Sequence, residues 1–170
     1  DSVDTLYANT RNNPIEDIES HVPLRVTRYE LRDDVISAGQ WRGGLNSIKE
    51  VEMLADGTIS VEGDGHSHSP WGYADGADGY PSSLSLVASN GESSSLPSML
   101  PPRSVKVGDR IIAIGGIGGG YGNPHKRDPN AVRDDVLDEH ITADTARRVF
   151  HVVLADDGSI DESETAKLRA

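Results

Sequence analysis

Residues 110–129, RIIAIGGIGGGYGNPHKRDP, join a short apolar run to a cluster of six glycines. The apolar part follows the turn residues VGD at 107–109 and predicts a strand. The glycines match neither of the nucleotide-binding loop patterns, and the dipeptide Asn123-Pro124 prevents a helix from starting directly after them. Two interpretations stay open: a tightly packed backbone crossing in which side chains would clash, or a nest of amides that faces an anion or a partner chain.

The segments before this run predict strands. Residues 22–32, VPLRVTRYELR, alternate apolar and polar side chains with one slip, which is typical of a long, bulged strand. Residues 47–54 and 58–62 predict two more strands, joined by a hairpin turn at Asp56-Gly57. Residues 63–102 are rich in Gly, Ser and Pro and predict a long loop, which is interrupted only by a brief apolar LSLV.

Helical patterns dominate the C-terminal part. Thr142 is the expected N-cap of one helix, and HVVL at 151–154 predicts a strand between the last two helices. The acidic pair Asp134-Asp135 is interpreted as capping residues. The predicted helices cover residues 15–21, 130–137, 142–149 and 163–169. The whole chain is therefore expected to be a single α+β domain over residues 1–170, mainly an antiparallel β-meander with a long Gly/Ser/Pro-rich loop and C-terminal helices.

The composition argues against several classes of partner. The chain has 28 acidic and 16 basic side chains, and its formal net charge of -12 would repel nucleic acid and anionic membrane surfaces. No apolar run approaches the roughly 20 residues that span a bilayer. The chain contains no cysteine and no recognisable secretory signal, which predicts a cytoplasmic protein. Because it begins with Asp1, we expect a processed product or a fragment of a longer chain.

Two short segments carry candidate functional residues. In GDGHSHSPWG, Asp64, His66 and His68 occupy alternate positions, so an extended chain would point all three in one direction, toward a possible divalent metal ion. The alternative is an ordinary Ser-rich surface loop. In QWRGG, Arg42 could bind an anion beside Trp41, and the alternative is simple packing of the tryptophan ring.

Six segments follow one another in an order that characterises one known family. They are NTRNNPIEDIESHVPLRVTRYELR, AGQWRGGL, SPWGYADG, VGDRIIAIGGIGGGYGNPHKRDP, DDVLDEHITADTARRVFHVVL and IDESETAKLR. The most specific residues within them are Asn9, Thr10, Pro14, Glu16, Glu19, Arg42-Gly43-Gly44, Pro70-Trp71-Gly72 and the block from Gly118 to Pro124. In this order, and over nearly the whole chain, these motifs resemble the carboxy-terminal part of the B-type subunit in the hydantoinase B/oxoprolinase family.

The resemblance implies a function in a larger enzyme. In this family an A-type subunit uses ATP to phosphorylate a carbonyl or cyclic-amide oxygen, and a B-type subunit processes the activated species. We therefore expect part of an enzyme that hydrolyses hydantoins, 5-oxoproline or lactams, or that carboxylates ketones, and that is inactive as this chain alone. The expected partners are larger B-type and A-type subunits and a small-molecule substrate. ATP, Mg²⁺ and a divalent metal ion are expected in the whole complex, and none on this chain alone.

The resemblance also suggests a role for the glycine block. The backbone of residues Gly118, Gly119, Gly120, Tyr121 and Gly122 is expected to pass close to a partner chain or to the phosphate of the intermediate. The family's catalytic residues are expected mainly outside this chain, which leaves Arg42, His66 and His68 as catalytic candidates and Asp64, His66 and His68 as metal candidates. The alternative function is a non-catalytic structural or assembly module that binds larger subunits.

Overall fold

The computed structural model describes residues 13–170, which form four α-helices, seven β-strands and one 3₁₀-helix. The helices are α1 (Ile15–His21), α2 (Pro129–Leu137), α3 (Ala143–Phe150) and α4 (Glu162–Arg169), and the 3₁₀-helix is Pro124–Lys126. The strands are β1 (Leu24–Leu31), β2 (Ser47–Met53), β3 (Gly57–Glu62), β4 (Ser83–Val87), β5 (Ser93–Leu96), β6 (Met99–Val105) and β7 (Arg110–Ile114). The motif residues Asn9 and Thr10 lie outside the described residues.

Strand β7 is the central strand of a five-stranded antiparallel sheet. The strand order is β1-β2-β7-β4-β5, so Ile112 of β7 pairs with Glu50 on one side and with Ser85 on the other. Strands β3 and β6 form a separate two-stranded antiparallel ribbon. The α+β class with antiparallel strands is confirmed, and so is the bulge in β1, where the register shifts between Val26 and Arg28. The order departs from that of a simple meander because β7 lies between β2 and β4.

The predicted hairpin at Asp56-Gly57 is wrong, because β2 and β3 belong to different sheets. Asp56 instead binds the turn between β6 and β7. Its carboxylate accepts hydrogen bonds from the backbone amide of Val107 at 3.0 Å and from Nζ of Lys106 at 2.8 Å. This contact directs the chain away from β2 and toward β6, with which β3 pairs.

The prediction of a loop over residues 63–102 is only partly confirmed. Residues 63–82 are irregular, whereas residues 83–102 contain β4, β5 and the start of β6. In β4, Leu84 and Leu86 are buried and their serine neighbours are not, so the strand has one apolar face despite its Ser-rich composition. In β6, Pro101 and Pro102 lie at a register shift of the ribbon, where the regular ladder of hydrogen bonds is interrupted.

The described residues contain two buried apolar clusters. One joins the segment before β2 to the helices and consists of Ala38, Val132, Ile141, Ala146, Phe150 and Val152. The other joins the five-stranded sheet to the ribbon and consists of Met53, Leu84, Leu86, Leu96, Leu100 and Val105. Because Ala38 belongs to the first cluster, the segment that carries Arg42 is packed against the helical part of the molecule.

The four predicted helices are confirmed, and every predicted end agrees with the structure to within one residue. The hydroxyl of Thr142 accepts a hydrogen bond from the amide of Thr145 at 3.1 Å and caps α3, as expected. The strand predicted at residues 151–154 is wrong, because His151 adopts a left-handed conformation and only Leu154 forms a bridge, to Ile160. Among the helices of residues 13–170, none has the length and apolar character of a membrane span.

Candidate functional site at a glycine junction

Three segments that are distant in sequence cross at one place: residues 37–44, 70–80 and 115–122, which we call the glycine junction. Trp41 and Tyr121 exchange two backbone hydrogen bonds, each 2.9 Å long. Tyr73 donates to the carbonyl of Gly120 and accepts from the amide of Gly122, again at 2.9 Å. Residues 115–122 therefore form the middle segment, which is paired with both of the others.

The crossing requires glycine because the backbones are in direct contact. A Cβ atom on Gly119 would lie 2.0 Å from the carbonyl oxygen of Trp71, and one on Gly120 would lie 2.1 Å from that of Ala38. On Gly43 it would lie 1.9 Å from the carbonyl oxygen of Gly118. These distances are far below the van der Waals contact of carbon and oxygen. Of the two interpretations of the glycine cluster, the tightly packed backbone crossing is confirmed.

Several amides of the glycine block are already used inside the chain. Gly120 donates to Ala77, Tyr121 to Trp41 and Gly122 to Tyr73, each at 2.9 Å. An anion or a partner chain could bind these three N–H groups only by breaking an existing hydrogen bond. The expected contact of residues 118–122 with a partner chain or an intermediate stays a prediction.

An open cleft of about 740 Å³ lies beside the glycine junction. It is bounded by the loop that carries Asp64, His66 and His68 and by the first part of the glycine block. The structure thus brings these three predicted residues next to the glycines, and adds polar side chains from other segments. The lining residues are Asn46, Asp64, Gly65, His66, Ser67, His68, Pro70, Tyr80, Ser82, Ser98, Gly115, Gly116, Ile117 and Gly118.

The metal-site hypothesis requires an extended backbone in this loop, and the backbone is not extended. Gly65 has a left-handed backbone with φ 73°, and the chain bends at residues 66–68. Asp64 Oδ1 accepts a hydrogen bond from the amide of Gly65 at 2.6 Å, and Ser82 Oγ donates to the carbonyl of Asp64 at 2.5 Å. Within residues 13–170, no three His, Asp or Glu side chains are grouped so that they could hold a metal ion. His66 is half-buried and His68 is exposed in the cleft.

Arg42, the other catalytic candidate, is bound to an acidic residue of α2. Its Nε donates to Asp135 Oδ1 at 3.0 Å, and Arg127 donates from Nη2 to Asp135 Oδ2 at 2.9 Å. The side chains of Arg42, Arg127 and Asp135 are 14%, 11% and 6% exposed. A carboxylate shared by two guanidinium groups fixes the segment of Arg42 to the helical part.

The interpretation of Asp135 as a capping residue is therefore wrong. The residue lies in the interior of α2, three positions after the buried Val132, and thus on the same face of the helix. That spacing was the sequence signal that Asp135 faces the core. The neighbouring Asp134 is exposed and pairs with Arg133.

Sequence reasoning also missed an exposed group of aromatic side chains on the glycine junction. Trp41, Trp71, Tyr73 and Tyr121 are 65%, 81%, 67% and 51% exposed. The rings of Tyr73 and Tyr121 stack with their centroids 5.9 Å apart. Because Trp41 and Tyr121 pair directly across the backbone, their side chains leave it on the same side. The sequence signal was that each of the four lies within two residues of a glycine.

Comparison with protein-family models matches residues 1–124 to Hydantoinase B/oxoprolinase. The chain belongs to the hydantoinase B/oxoprolinase family. The family resemblance drawn from the sequence motifs is confirmed. The Arg-Gly-Gly, Pro-Trp-Gly and Gly-Gly-Gly-Tyr-Gly motifs of the family lie on the three segments of the glycine junction, so motifs that are separate in sequence meet in one place in the structure.

Several relatives that the chain matches are much longer. A protein from Pseudomonas sp. (strain NS671) that is named as the putative B-type subunit of a D-/L-hydantoinase is 55% identical over 170 residues, which are 99% of this chain and 29% of that protein. The crystal structure of ATP-dependent caprolactamase from Pseudomonas jessenii matches with a TM-score of 0.71 and 28% identity, over 92% of this chain and 28% of that one.

A third relative is a carboxylase. The acetone carboxylase alpha subunit of Xanthobacter autotrophicus (strain ATCC BAA-1158 / Py2) is 29% identical over 186 residues, which cover 87% of this chain and 24% of that protein. The chain therefore spans less than a third of the length of each of these relatives.

Proposed function

We propose that residues 1–170 form one domain, equivalent to the carboxy-terminal part of a B-type hydantoinase subunit. It acts within a multi-subunit, ATP-dependent enzyme that opens cyclic amides such as hydantoins, 5-oxoproline or lactams. The observation that carries this proposal is the 55% identity to a B-type hydantoinase subunit over 99% of the chain. The similarity to the acetone carboxylase alpha subunit favours ketone carboxylation as the second candidate reaction.

The need for ATP in such an enzyme has a chemical reason. An amide carbonyl is stabilised by resonance, and phosphoryl transfer to its oxygen removes that resonance and makes the carbon open to attack by water. The glycine block of this chain does not match a phosphate-binding loop, and the described residues hold no group suited to a metal ion. ATP, Mg²⁺ and the divalent metal ion would therefore be held by the A-type and larger B-type subunits.

The contribution of this chain would be to shape and complete the site. We place the cleft beside the glycine junction next to the reacting centre, because it is polar, open and large enough for a small cyclic amide. His66 and His68 would bind the substrate or exchange a proton with it there. The backbone of residues 118–122 would contact the partner chain or the intermediate. A cytoplasmic location belongs to the same proposal.

The alternative is a non-catalytic assembly module. The buried ion pair of Arg42 favours it. The guanidinium group of Arg42 is bound by Asp135 and largely buried, so its role is to stabilise the fold. The glycines are likewise used for packing within the chain. On this alternative the chain would bind larger subunits without affecting the chemical step.

Co-expression with the companion B-type and A-type chains tests the proposal. The complex is purified through a tag on this chain, and its mass is measured by native mass spectrometry. ATP consumption is then measured with a hydantoin, 5-oxoproline and a lactam, and uptake of labelled bicarbonate is measured with a ketone. We expect both companions to co-purify and turnover to require all three chains.

Two other results would decide against the enzymatic role. Unchanged turnover by the companions without this chain would support the assembly module. A chain that stays monomeric and retains no companion would contradict both functions.

A further inference from the structure

Trp41, Trp71, Tyr73 and Tyr121, here called the aromatic face, form an exposed surface on the glycine junction. They include both tryptophans of the chain. Each such ring buries about 150–250 Å² when it is covered. Four exposed rings therefore lie on two outer segments and the middle segment of one junction, and concentrations of exposed apolar surface of this kind mark interaction sites on soluble proteins.

The backbone beneath the aromatic face is held rigid. Trp41 and Tyr121 share two hydrogen bonds, and the adjacent Gly120 is in direct contact with Ala38. The residue after Trp41 is Arg42, whose side chain is bound to Asp135. A partner that covers these rings would not have to order the backbone that carries them, which lowers the entropic cost of binding.

The charge of the chain argues against a second copy as the occupant. Each copy has a formal net charge of -12, so two copies repel each other at ordinary ionic strength. The face itself is made of uncharged rings, and tryptophan and tyrosine are the residues most enriched at the centres of protein interfaces. A different polypeptide with an apolar surface fits it better.

The length of the relatives indicates which polypeptide this is. The B-type hydantoinase subunit that matches 99% of this chain has about 70% of its length outside the match. The residues of the aromatic face all lie within the region that matches the family model, on the three motif segments that meet at the junction. We propose that the aromatic face binds the remaining part of the B-type subunit, a proposal that rests on the proposed function.

Fluorine labelling of this chain alone gives a direct test. The chain is produced with 5-fluorotryptophan, so that its two ¹⁹F resonances report on Trp41 and Trp71 only, and the unlabelled companion B-type polypeptide is added. We expect both resonances to shift on binding. Substitutions Trp41→Ser and Trp71→Ser should each raise the dissociation constant by about 30-fold or more, as expected for aromatic residues at the centre of an interface.

Met99→Ser provides a matched control. Met99 is 62% exposed, like Trp41, but lies on β6 outside the aromatic face. Its substitution should change the dissociation constant by less than about twofold. Because the substituted side chains are exposed, the free variants should keep the unfolding temperature of the parent, which separates lost binding from lost folding.

Three results would overturn the inference. If the companion binds while the resonances and the affinity of Trp41→Ser stay unchanged, the face is not the interface, although the proposed function stands. If the resonances of the labelled chain shift with its own concentration, the occupant is a second copy. If no companion binds the parent chain, the inference and the proposed function both fail.

Discussion

Arg42 and Asp135 are 93 residues apart in sequence, yet Nε of Arg42 lies 3.0 Å from Oδ1 of Asp135 in a largely buried ion pair. The other oxygen of Asp135 accepts from Arg127 at 2.9 Å. This arrangement connects the Arg-Gly-Gly motif of the glycine junction to helix α2. It follows that Arg42 contributes to the position of the junction, and the effects of its substitution should appear first in folding.

Loss of the shared carboxylate should destabilise the fold strongly. Asp135→Asn removes the negative charge that binds the buried guanidinium groups of Arg42 and Arg127, and we expect the free energy of unfolding to fall by about 3–5 kcal/mol. Chemical denaturation measures the change. The control is Asp134→Asn, which removes an exposed ion pair with Arg133 and should cost less than about 1 kcal/mol. Equal losses in the two variants would show that the buried pair has no special role.

Two neighbouring glycines should respond differently to the same substitution. Gly119→Ala puts a Cβ atom 2.0 Å from the carbonyl oxygen of Trp71, so the crossing segments must separate. We expect a loss of about 3 kcal/mol or more, since the obstacle is backbone. In Gly118→Ala the nearest atom, the amide nitrogen of Gly44, is 3.7 Å away, an ordinary contact, and the loss should stay within about 1 kcal/mol. Thermal unfolding separates the two, and similar melting temperatures would contradict the packed crossing.

The stacked pair His125 and His151 predicts a loss of stability in mild acid. Their ring centroids are 3.6 Å apart, and Nδ1 of His151 donates to the carbonyl of Leu168 at 2.7 Å. Burial, followed by the charges of His151 and Arg169, lowers the pKa of His125 below its ordinary value of 6.5. Below about pH 6.5 the unfolded chain therefore binds more protons than the folded one, and stability falls as the pH decreases.

Substitution of His125 should remove this part of the pH dependence. We expect the unfolding temperature of the parent chain to fall between about pH 7.5 and pH 5.5, and that of His125→Gln to fall less over the same interval. Parallel curves for the two proteins would show that other groups determine the acid sensitivity.

The histidines of the cleft should affect turnover and leave folding unchanged. In the assembled complex we expect His66→Gln and His68→Gln to lower kcat/KM by about tenfold or more if they contact the substrate or carry a proton. His21→Gln, an exposed histidine of α1 outside the cleft, is the control and should have no effect on turnover. Full activity of the His66→Gln, His68→Gln double variant would contradict the proposal that the histidines of the cleft bind the substrate or transfer a proton.

Much of the local structure could be predicted from the sequence because its signals are local. Thr142 caps the N-terminus of α3 with its side chain. The slip in the alternation of apolar residues along β1 marks the bulge of that strand. The hairpin at Asp56-Gly57 could not be excluded in the same way, since Asp-Gly between two strand patterns is a common hairpin signal. What redirects the chain is the contact of Asp56 with Val107, which is 51 residues away.

The candidate site was predictable in its parts and not in its assembly. The histidine loop, the Arg-Gly-Gly motif and the glycine block were each visible in the sequence, and the order of the last two with four other segments indicated the family. Asp135 as the partner of Arg42 carried no such signal beyond its helical spacing. The exposure of Trp41 and Trp71 was missed, because tryptophan rings are usually largely buried and the neighbouring glycines are a weak signal.

The sequence by itself determined the four helices, the strands β1, β2, β3 and β7 and the family, since these depend on residue type and on spacing along the chain. Only the tertiary structure decided which strands pair, that the glycines serve a crossing of three segments, and that four aromatic rings remain uncovered. The physical reason is that pairing, close approach and exposure depend on atoms brought together from distant positions, for which the chain carries no periodic signal.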